Sequence, residues 1–148
     1  MTRAPVTVSP SDSIRTVRLL MRQGHVRRLP VVEDRRVVGI VTDRDIWERS
    51  PAGTEAEESD GRDLSDHLRV MGIMTLQPVS VAPTLPVVEA AQRLRESHVG
   101  ALLVVESGVL VGILTKGDLI DALIDGHGVA VKALQSAAPP VSDTGRKD

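Results

Sequence analysis

The chain has 148 residues, and 18 Lys and Arg against 20 Asp and Glu give a formal net charge of −2. That balance gives no electrostatic reason to expect nucleic acid or an anionic membrane as the main partner. There is no cysteine, which excludes disulfides, thiolate catalysis and a cysteine-ligated metal.

The apolar residues predict a soluble protein with an aliphatic core. No apolar run approaches the roughly 20 residues that cross a bilayer, and residues 1–10 hold no apolar signal segment. We therefore expect no membrane partner and a cytoplasmic location. Phe and Tyr are missing and Trp47 is the only Trp, so Trp47 is expected to fill the core or an interface. A planar ligand would have to be held by aliphatic side chains and backbone.

The sequence repeats itself: when Met1 is aligned with Met74, the first part of the chain matches the second without a gap. In this repeat alignment of residues 1–46 with residues 74–119, 18 of 46 positions are identical. Such self-similarity is typical of one structural unit used twice. The predicted segments are a first repeat over 1–49, an acidic linker over 50–67, a second repeat over 68–125, and a C-terminal helix with a flexible tail over 126–148.

Both repeats predict the element order β-α-β-β-α. Each has an extended piece, an amphipathic helix, two short β-branched runs typical of strands buried on both faces, and a second helix. In the first repeat these are an extended piece at 6–8, a helix with Ile14, Val17, Leu20 and Met21 on its apolar face, strands at 29–32 and 37–41, and a helix after Thr42. In the second they are an extended piece at 79–81, a helix with Val87, Ala90, Ala91 and Leu94 facing inward, strands at 101–105 and 109–114, and a helix after Thr115.

One such unit would leave an apolar face exposed, and a second copy can cover it. The predicted fold is α/β (α+β), with two β-α-β-β-α repeats packed face to face about a pseudo-twofold axis. Ser11 and Thr84 are the predicted N-caps of the two amphipathic helices because each precedes the first periodic apolar residues.

The motif with the most chemical content is GIVTDRD at 39–45, which recurs as GILTKGD at 112–118. It has two interpretations. Thr and Asp three residues apart resemble a capping box, and the glycine allows close strand packing or a bulge. Alternatively, the N–H groups of the helix start attract phosphate, the Asp accepts hydrogen bonds from a ribose diol, and the glycine lets a ligand approach the strand.

Several motifs together resemble the cystathionine-β-synthase (CBS) domain. They are Gly-aliphatic-x-Thr-x-x-Asp at the end of each unit, Met-Thr…Pro-Val-x-Val-x-Pro at its front, and RRLPVV at 27–32. The resemblance covers about residues 1–49 and 68–125. It implies two paired repeats with two clefts that bind adenosine compounds: AMP, ADP or ATP, with S-adenosylmethionine or NAD also open.

The resemblance also implies roles for particular residues. The carboxylates that would hold ribose are Asp45 and Asp118, and the hydroxyls that would face phosphate are Thr42 and Thr115. The backbone that would contact the adenine edge lies at Thr7, Val8, Ser80 and Val81, and the side chains that would sandwich the ring are Ile40 and Ile113.

The two repeats differ in their cations. The first carries Arg27, Arg28 and Arg44, whose guanidinium groups suit phosphate. The second has Gly100, Ala101 and Gly117 at those places. We expect one phosphate-bearing site and one weak or empty site. For Arg27 and Arg28 a solvated edge at the helix end stays open, and the sequence does not tell which cleft receives them.

No catalytic or metal constellation is visible. His25 and His98 share a repeat position at the end of the first helix, where a cation at a helix C-terminus is favoured over a metal site. There is no Walker loop, nucleophile elbow or H-E-x-x-H pattern. We therefore expect a protein that is not an enzyme, with no catalytic cofactor and no metal.

The preferred hypothesis is a regulatory module that binds an adenine nucleotide and passes its occupancy to an effector protein. A homodimer is expected from the resemblance, and a physical reason is the apolar surface of the last repeat helix: Leu119, Ile120, Leu123 and Ile124. The alternative is a ligand-free module of the same fold for protein interaction or dimerisation. Nucleotide hydrolysis is a third, less favoured hypothesis.

Overall fold

The computed structural model describes residues 1–49 and 67–125. The predicted acidic linker, apart from His67, and the predicted C-terminal helix and tail lie outside the described residues. Within the described ranges the fold is a mixture of four helices and one sheet, as the α/β (α+β) prediction requires. No helix in these ranges is long and apolar enough to cross a membrane.

Both repeats contain a strand, a helix, two strands and a helix in that order, and the second adds a 3-10 turn and the short strand β5. The elements of the first are β1 (Thr2–Arg3), α1 (Ile14–Gly24), β2 (Arg28–Glu33), β3 (Arg36–Thr42) and α2 (Asp43–Arg49). Those of the second are a 3-10 turn (Val70–Gly72), β4 (Thr75–Leu76), β5 (Ser80–Val81), α3 (Val87–Glu96), β6 (Ala101–Glu106), β7 (Val109–Thr115) and α4 (Lys116–Ile124).

The predicted strand pairs form two antiparallel hairpins, β2–β3 and β6–β7. Each turn has two residues with positive φ: Asp34 and Arg35 in the first, Ser107 and Gly108 in the second. Such turns match the right-handed twist of the strands they join. The sheet runs β2-β3-β7-β6-β5. In place of a full strand, the extended piece at 6–8 contributes a parallel bridge from Val8 to β2.

The two repeats are joined by exchanged strands. β1 of the first repeat pairs with β7, and β4 of the second pairs with β3. The paired residues are Thr2–Ile113 and Arg3–Gly112 on one side, and Thr75–Ile40 and Leu76–Gly39 on the other. The repeat alignment converts one set into the other. The pair Arg36–Val109 joins β3 to β7 directly and maps onto itself under the same alignment, so it marks the pseudo-twofold axis.

The glycine of each repeated motif lies where the exchanged strand crosses. A Cβ at Gly39 would be 2.9 Å from Sδ of Met74 and 3.0 Å from the carbonyl oxygen of Thr75. At Gly112 the corresponding distances are 2.8 Å to Sδ of Met1 and 3.1 Å to the carbonyl oxygen of the next residue. The structure thus favours close strand packing over ligand approach as the reason for these glycines.

The core is aliphatic throughout the described residues. The first repeat is built around one cluster, in which the last two residues named come from the start of the second repeat: Val8, Ile14, Val17, Met21, Leu29, Val31, Val41, Ile46, Val70 and Ile73. Ala90, Leu94 and Leu102 form the core of the second. A third cluster of Ala101, Leu103 and Ile113 receives Val37 and Ile40 from the first repeat. The two repeats therefore exchange apolar residues in both directions.

The predicted N-cap of α1 is wrong. The Asp12 carboxylate accepts from the backbone N–H of Ser9 at 2.7 Å, and the Asp12 N–H bonds to the Ser9 carbonyl. Ser11 therefore lies inside a turn, and the helix starts after it. Ser13 is the N-cap, and its hydroxyl accepts from the Thr16 N–H at 3.2 Å.

The predicted N-cap of α3 is also wrong. Pro86 occupies the cap, and its hydrocarbon side chain can make no hydrogen bond to the helix. Thr84 lies in a turn closed by the hydrogen bond from the Leu85 N–H to the Ala82 carbonyl, before the helix begins. Ala90 and Leu94 face inward as predicted, but Val87 is 57% exposed.

Candidate ligand sites at the two repeated motifs

The first motif forms a reciprocal cap where β3 ends and α2 begins. Oδ2 of Asp45 accepts from the backbone N–H of Thr42 at 2.8 Å and from its hydroxyl at 2.7 Å. The N–H of Asp45 donates to the Thr42 hydroxyl at 3.2 Å. This is the arrangement of a capping box. Oδ1 of Asp45 has no partner among the described residues, so the carboxylate keeps one oxygen for another donor.

The second motif repeats this geometry at the start of α4. Oδ2 of Asp118 accepts from the Thr115 N–H at 2.7 Å and from its hydroxyl at 2.9 Å. Here the other carboxylate oxygen lies 3.0 Å from the ammonium nitrogen of Met1. Partial burial by itself raises the pKa of Asp118, but the Thr115 N–H, the Met1 ammonium and the Thr115 hydroxyl together lower it.

The backbone assigned to adenine contact is only partly open. The N–H of Val8 donates to the Pro30 carbonyl at 3.1 Å, and its carbonyl accepts from Val32 at 2.9 Å. Both groups therefore serve the bridge to β2. Thr7 is exposed, and its backbone has no hydrogen bond within the described ranges. In the second repeat, Ser80 and Val81 form β5, parallel to β6.

The predicted ring-sandwiching side chains lie in the contact between the repeats. Ile113 is buried at 7% exposure, and half-buried Ile40 packs against the same cluster. Their backbones are tied to the exchanged strands through Thr2 and Thr75. Both isoleucines therefore contribute to joining the repeats, whatever ligand role they have.

The three arginines of the first repeat have different surroundings and different hydrogen-bond partners. Arg44 is exposed, and its Nε donates to Oε1 of Glu48 at 2.6 Å along α2. That hydrogen bond is the main cause of the raised pKa of Arg44. Arg27 is exposed, and its carbonyl accepts from the N–H at the start of α2. Arg28 pairs with Thr42 in the sheet, while its side chain reaches the second repeat and donates to the carbonyl of Gly100.

Sequence reasoning missed the contact at Gly100. The available signal was the replacement of Arg27 by glycine in the repeat alignment. From the sequence this difference indicates only that the second repeat lacks a cation, whereas in the structure the Arg28 side chain of the first repeat occupies the space beside Gly100.

The remaining candidates are away from the motifs. His25 and His98 have positive φ after α1 and α3, the position expected for them at a helix end. No group of three or more potential metal ligands occurs within 1–49 and 67–125. Of the two places expected for Trp47, the core is wrong, because the side chain is 76% exposed; the neighbouring Ile46 takes the buried position on α2. An interface with another chain stays a prediction.

A family model for the CBS domain matches residues 1–46 and 70–125. The chain belongs to the CBS-domain family. A CBS domain-containing protein of Dictyostelium discoideum is 35% identical over 128 residues, which cover 84% of this chain and 88% of that protein. The crystal structure of CBSX2 in complex with AMP is 30% identical, with a TM-score of 0.69 over 84% of this chain and 93% of that one.

The CBS pair also occurs within a larger enzyme. The inosine-5′-monophosphate dehydrogenase of Korarchaeum cryptofilum is 37% identical over 118 residues, which cover 79% of this chain but 22% of the dehydrogenase. The chain therefore spans about a fifth of that relative, and the match gives no ground for assigning the dehydrogenase reaction to it.

Proposed function

We propose that this CBS pair is a regulatory module that binds an adenosine compound and catalyses no reaction. The observation that carries the proposal is the Thr42–Asp45 geometry. One carboxylate oxygen completes the helix cap and the other has no partner in the described part of the chain. The carboxylate can therefore cap the helix and bind a ligand at the same time, because its second oxygen is able to accept hydrogen bonds from a ribose diol.

The choice of ligand rests on the family. CBSX2, which has the same fold at 30% identity, is seen with AMP. For this chain we propose AMP, ADP or ATP, with S-adenosylmethionine and NAD as further adenosine compounds to test. The residues proposed to hold them keep the roles given above. The two sites are proposed to be unequal because the repeats differ at Arg27, Arg28 and Arg44.

Regulation would follow from differential binding. A ligand that binds more tightly to one relative orientation of the two repeats increases the population of that orientation, and a partner protein can bind the two orientations differently. The exchanged strands and the shared cluster around Ile113 give each repeat a direct contact with the other. The cytoplasmic location expected from the sequence stays a prediction.

Isothermal titration calorimetry of the full chain with the five compounds tests the proposal. We expect saturable binding of at least one, with Asp45→Ala or Asp118→Ala removing heat from one site. The matched control is Asp121→Ala, which removes an exposed carboxylate from α4 outside the motif. Chromatography of the same mixtures should show the nucleotide unchanged, and ADP formed from ATP would contradict the absence of catalysis.

The alternative is a ligand-free interaction module of the same fold. It is favoured by the fact that both Thr–Asp pairs already serve as complete helix caps. It predicts no binding heat from any of the five compounds, and a loss of only about 1 kcal/mol of stability in the Asp variants.

A homodimer is part of the proposal under either alternative. On α4, Ile120, Leu123 and Ile124 are exposed, whereas Leu119 packs against the core of the second repeat. Sedimentation velocity of the wild type and Ile124→Glu tests this face. A dimer that Ile124→Glu dissociates is expected, and a strictly monomeric wild type at high concentration would contradict it.

A further inference from the structure

The core of the first repeat is completed by a short segment before β4, residues 68–73, which we name the covering segment. Two of its side chains are buried, Val70 at 0% and Ile73 at 4% exposure. They share one cluster with three buried residues of the first repeat: Ile14, Val41 and Ile46. The covering segment therefore takes part in burying these three side chains.

Backbone hydrogen bonds hold the covering segment against the residues that precede α1. Three bonds of 2.9–3.0 Å join them: the Ile14 N–H to the Leu68 carbonyl, the Val70 N–H to the Asp12 carbonyl, and the Met71 N–H to the Pro10 carbonyl. Ser13 and Arg69 face each other in this pairing, which is antiparallel. The contact therefore combines backbone pairing with apolar burial.

The corresponding surface of the second repeat is less covered by the described residues. In the repeat alignment the counterparts of the three buried residues are Val87, Leu114 and Leu119, which we name the apolar patch. Val87 is 57% exposed, whereas its counterpart Ile14 is 0% exposed. Leu114 and Leu119 are half-buried, whereas their counterparts are 0% and 4% exposed. The second repeat thus has the same apolar surface without the same cover.

The backbone beside the apolar patch also has unused hydrogen-bonding groups. The groups that correspond to those bonding the covering segment are the Val87 N–H and the carbonyls of Leu85 and Pro83. None of the three makes a hydrogen bond among the described residues. A segment that binds here would therefore have one donor and two acceptors available, in the order that the first repeat uses.

The chain beyond α4 begins near the apolar patch. In the first repeat Arg49, at the end of α2, donates to the Gly72 carbonyl of the covering segment at 3.4 Å. Ala122 of α4 corresponds to Arg49, and α4 packs against α3. Residues 126–148 follow Asp125, and three extended residues span up to about 10 Å. Residues soon after 128 are therefore within reach of the patch.

A stretch of this C-terminal part has the apolar pattern of the covering segment. Residues 129–134 have the sequence VAVKAL, against LRVMGI at 68–73. The first, third and sixth places are apolar in both, and no proline removes a backbone N–H from either. At the fourth place Lys132 corresponds to Met71, which is 63% exposed, so the charged side chain would stay in water.

We propose that residues 129–134 cover the second repeat by docking on the apolar patch. Val129, Val131 and Leu134 take the places that Leu68, Val70 and Ile73 have on the first repeat. The carbonyl of Val129 accepts from the Val87 N–H, and the N–H groups of the third and fourth residues donate to the Leu85 and Pro83 carbonyls. The inference goes beyond the proposed function, because the patch is covered whether or not a nucleotide binds.

A pair of cysteines tests the docking in a chain that has no cysteine of its own. Pro86 and Ala130 are the counterparts of Ser13 and Arg69, so their Cα atoms should be about 4.5–5.5 Å apart, a separation that a disulfide spans. The full-length Pro86→Cys/Ala130→Cys chain is oxidised with glutathione and analysed by non-reducing electrophoresis. Pro86→Cys/Ala138→Cys is the matched control.

The docked pair should form its disulfide within one chain at least about tenfold faster than the control pair. The reason is that docking raises the effective concentration of one thiol at the other, whereas flexible chain alone does not. Equal rates would show that residues 129–134 do not dock. A disulfide that forms only between chains would mean that a second copy covers the patch, and it would overturn the assignment to the same chain.

A thermal unfolding cycle tests the patch without cysteines. Leu134→Ala should lower the unfolding midpoint by about 4 °C or more, as for a truncated core leucine in a chain of this size, and the control Lys132→Ala by less than about 2 °C. In a chain that carries Val87→Asp, Leu134→Ala should lose at least about half of its effect, because the two residues contact each other. An effect of Leu134→Ala that Val87→Asp leaves unchanged would overturn the patch as the docking site.

Discussion

Replacing Gly39 with alanine probes the crossing of the exchanged strands. The added methyl would enter a space where the Thr75 carbonyl oxygen lies 3.0 Å away and the Met74 sulfur 2.9 Å away. The Met74 side chain can turn aside, but the Thr75 oxygen is backbone and is held by the pairing of β4 with β3. Relief therefore requires the exchanged strand to move.

Overpacking of this kind costs about 1–3 kcal/mol. Alanine recovers roughly 0.5–1 kcal/mol because glycine is unfavourable inside a strand. The net loss expected for Gly39→Ala is about 0–2.5 kcal/mol, with a middle value of about 1 kcal/mol. At roughly 2–4 °C per kcal/mol for a chain of this size, the unfolding midpoint should fall by up to about 10 °C.

The assay is urea and thermal unfolding followed by far-UV circular dichroism. Gly24→Ala is the control, because Gly24 is the last residue of α1 and a Cβ there would lie 3.5 Å from Cγ2 of Val26, an ordinary contact distance. That change should be neutral or stabilise by about 0.5–1 kcal/mol. If Gly39→Ala proves as stable as Gly24→Ala, the close crossing of β4 over β3 is refuted.

Three other predictions follow from the motifs and the surface. Asp118 has a lowered pKa, so its contribution to stability should be complete above its unfolded pKa of about 3.9 and be lost as the pH falls through the lower folded pKa. In this acidic range Asp118→Asn should reduce the dependence of the urea unfolding midpoint on pH. A pH profile identical to that of the wild type would contradict the lowered pKa. Thr42→Val removes a hydroxyl that donates to the Asp45 carboxylate and accepts from the Asp45 N–H. It should lower the free energy of unfolding in urea by about 1 kcal/mol, and an unchanged free energy would refute the cap. Trp47→Ala should change stability by less than about 0.5 kcal/mol because the side chain is 76% exposed, and a loss above about 1 kcal/mol would show that Trp47 is packed.

The long elements could be predicted because their signals are local. Apolar periodicity placed α1, and the β-branched runs placed β2, β3, β6 and β7 with small errors at their ends. The internal repeat predicted the pseudo-twofold axis, which the exchanged pairings confirm.

The short strands could not be predicted for a physical reason. β1 and β4 contain two residues each, and they exist only because β7 and β3 of the opposite repeat offer them a partner. Because this pairing depends on the other repeat, the two residues of each strand carry no periodic pattern of apolar residues from which it could be predicted. The N-cap of α1 failed because the Ser9–Asp12 turn competes for the residues before the helix.

The motifs were predicted more completely than their surroundings. Both Thr–Asp pairs have the geometry expected of a capping box. The direction of Arg28 was beyond sequence reasoning, since it depends on the space left at Gly100 across the pseudo-twofold axis. A comparison of the two repeats locates such a difference but does not show which site gains from it.

Thermal unfolding with AMP, ADP, ATP, S-adenosylmethionine and NAD tests the central claim most directly, with wild type beside Asp45→Ala and Asp118→Ala. A compound present at about 100 times its dissociation constant should add about 2.7 kcal/mol to the stability of the wild type. We predict that at least one compound raises the midpoint and that one Asp variant loses the shift. If no compound moves the wild-type midpoint, the two motifs are helix caps alone and the nucleotide-binding account is contradicted.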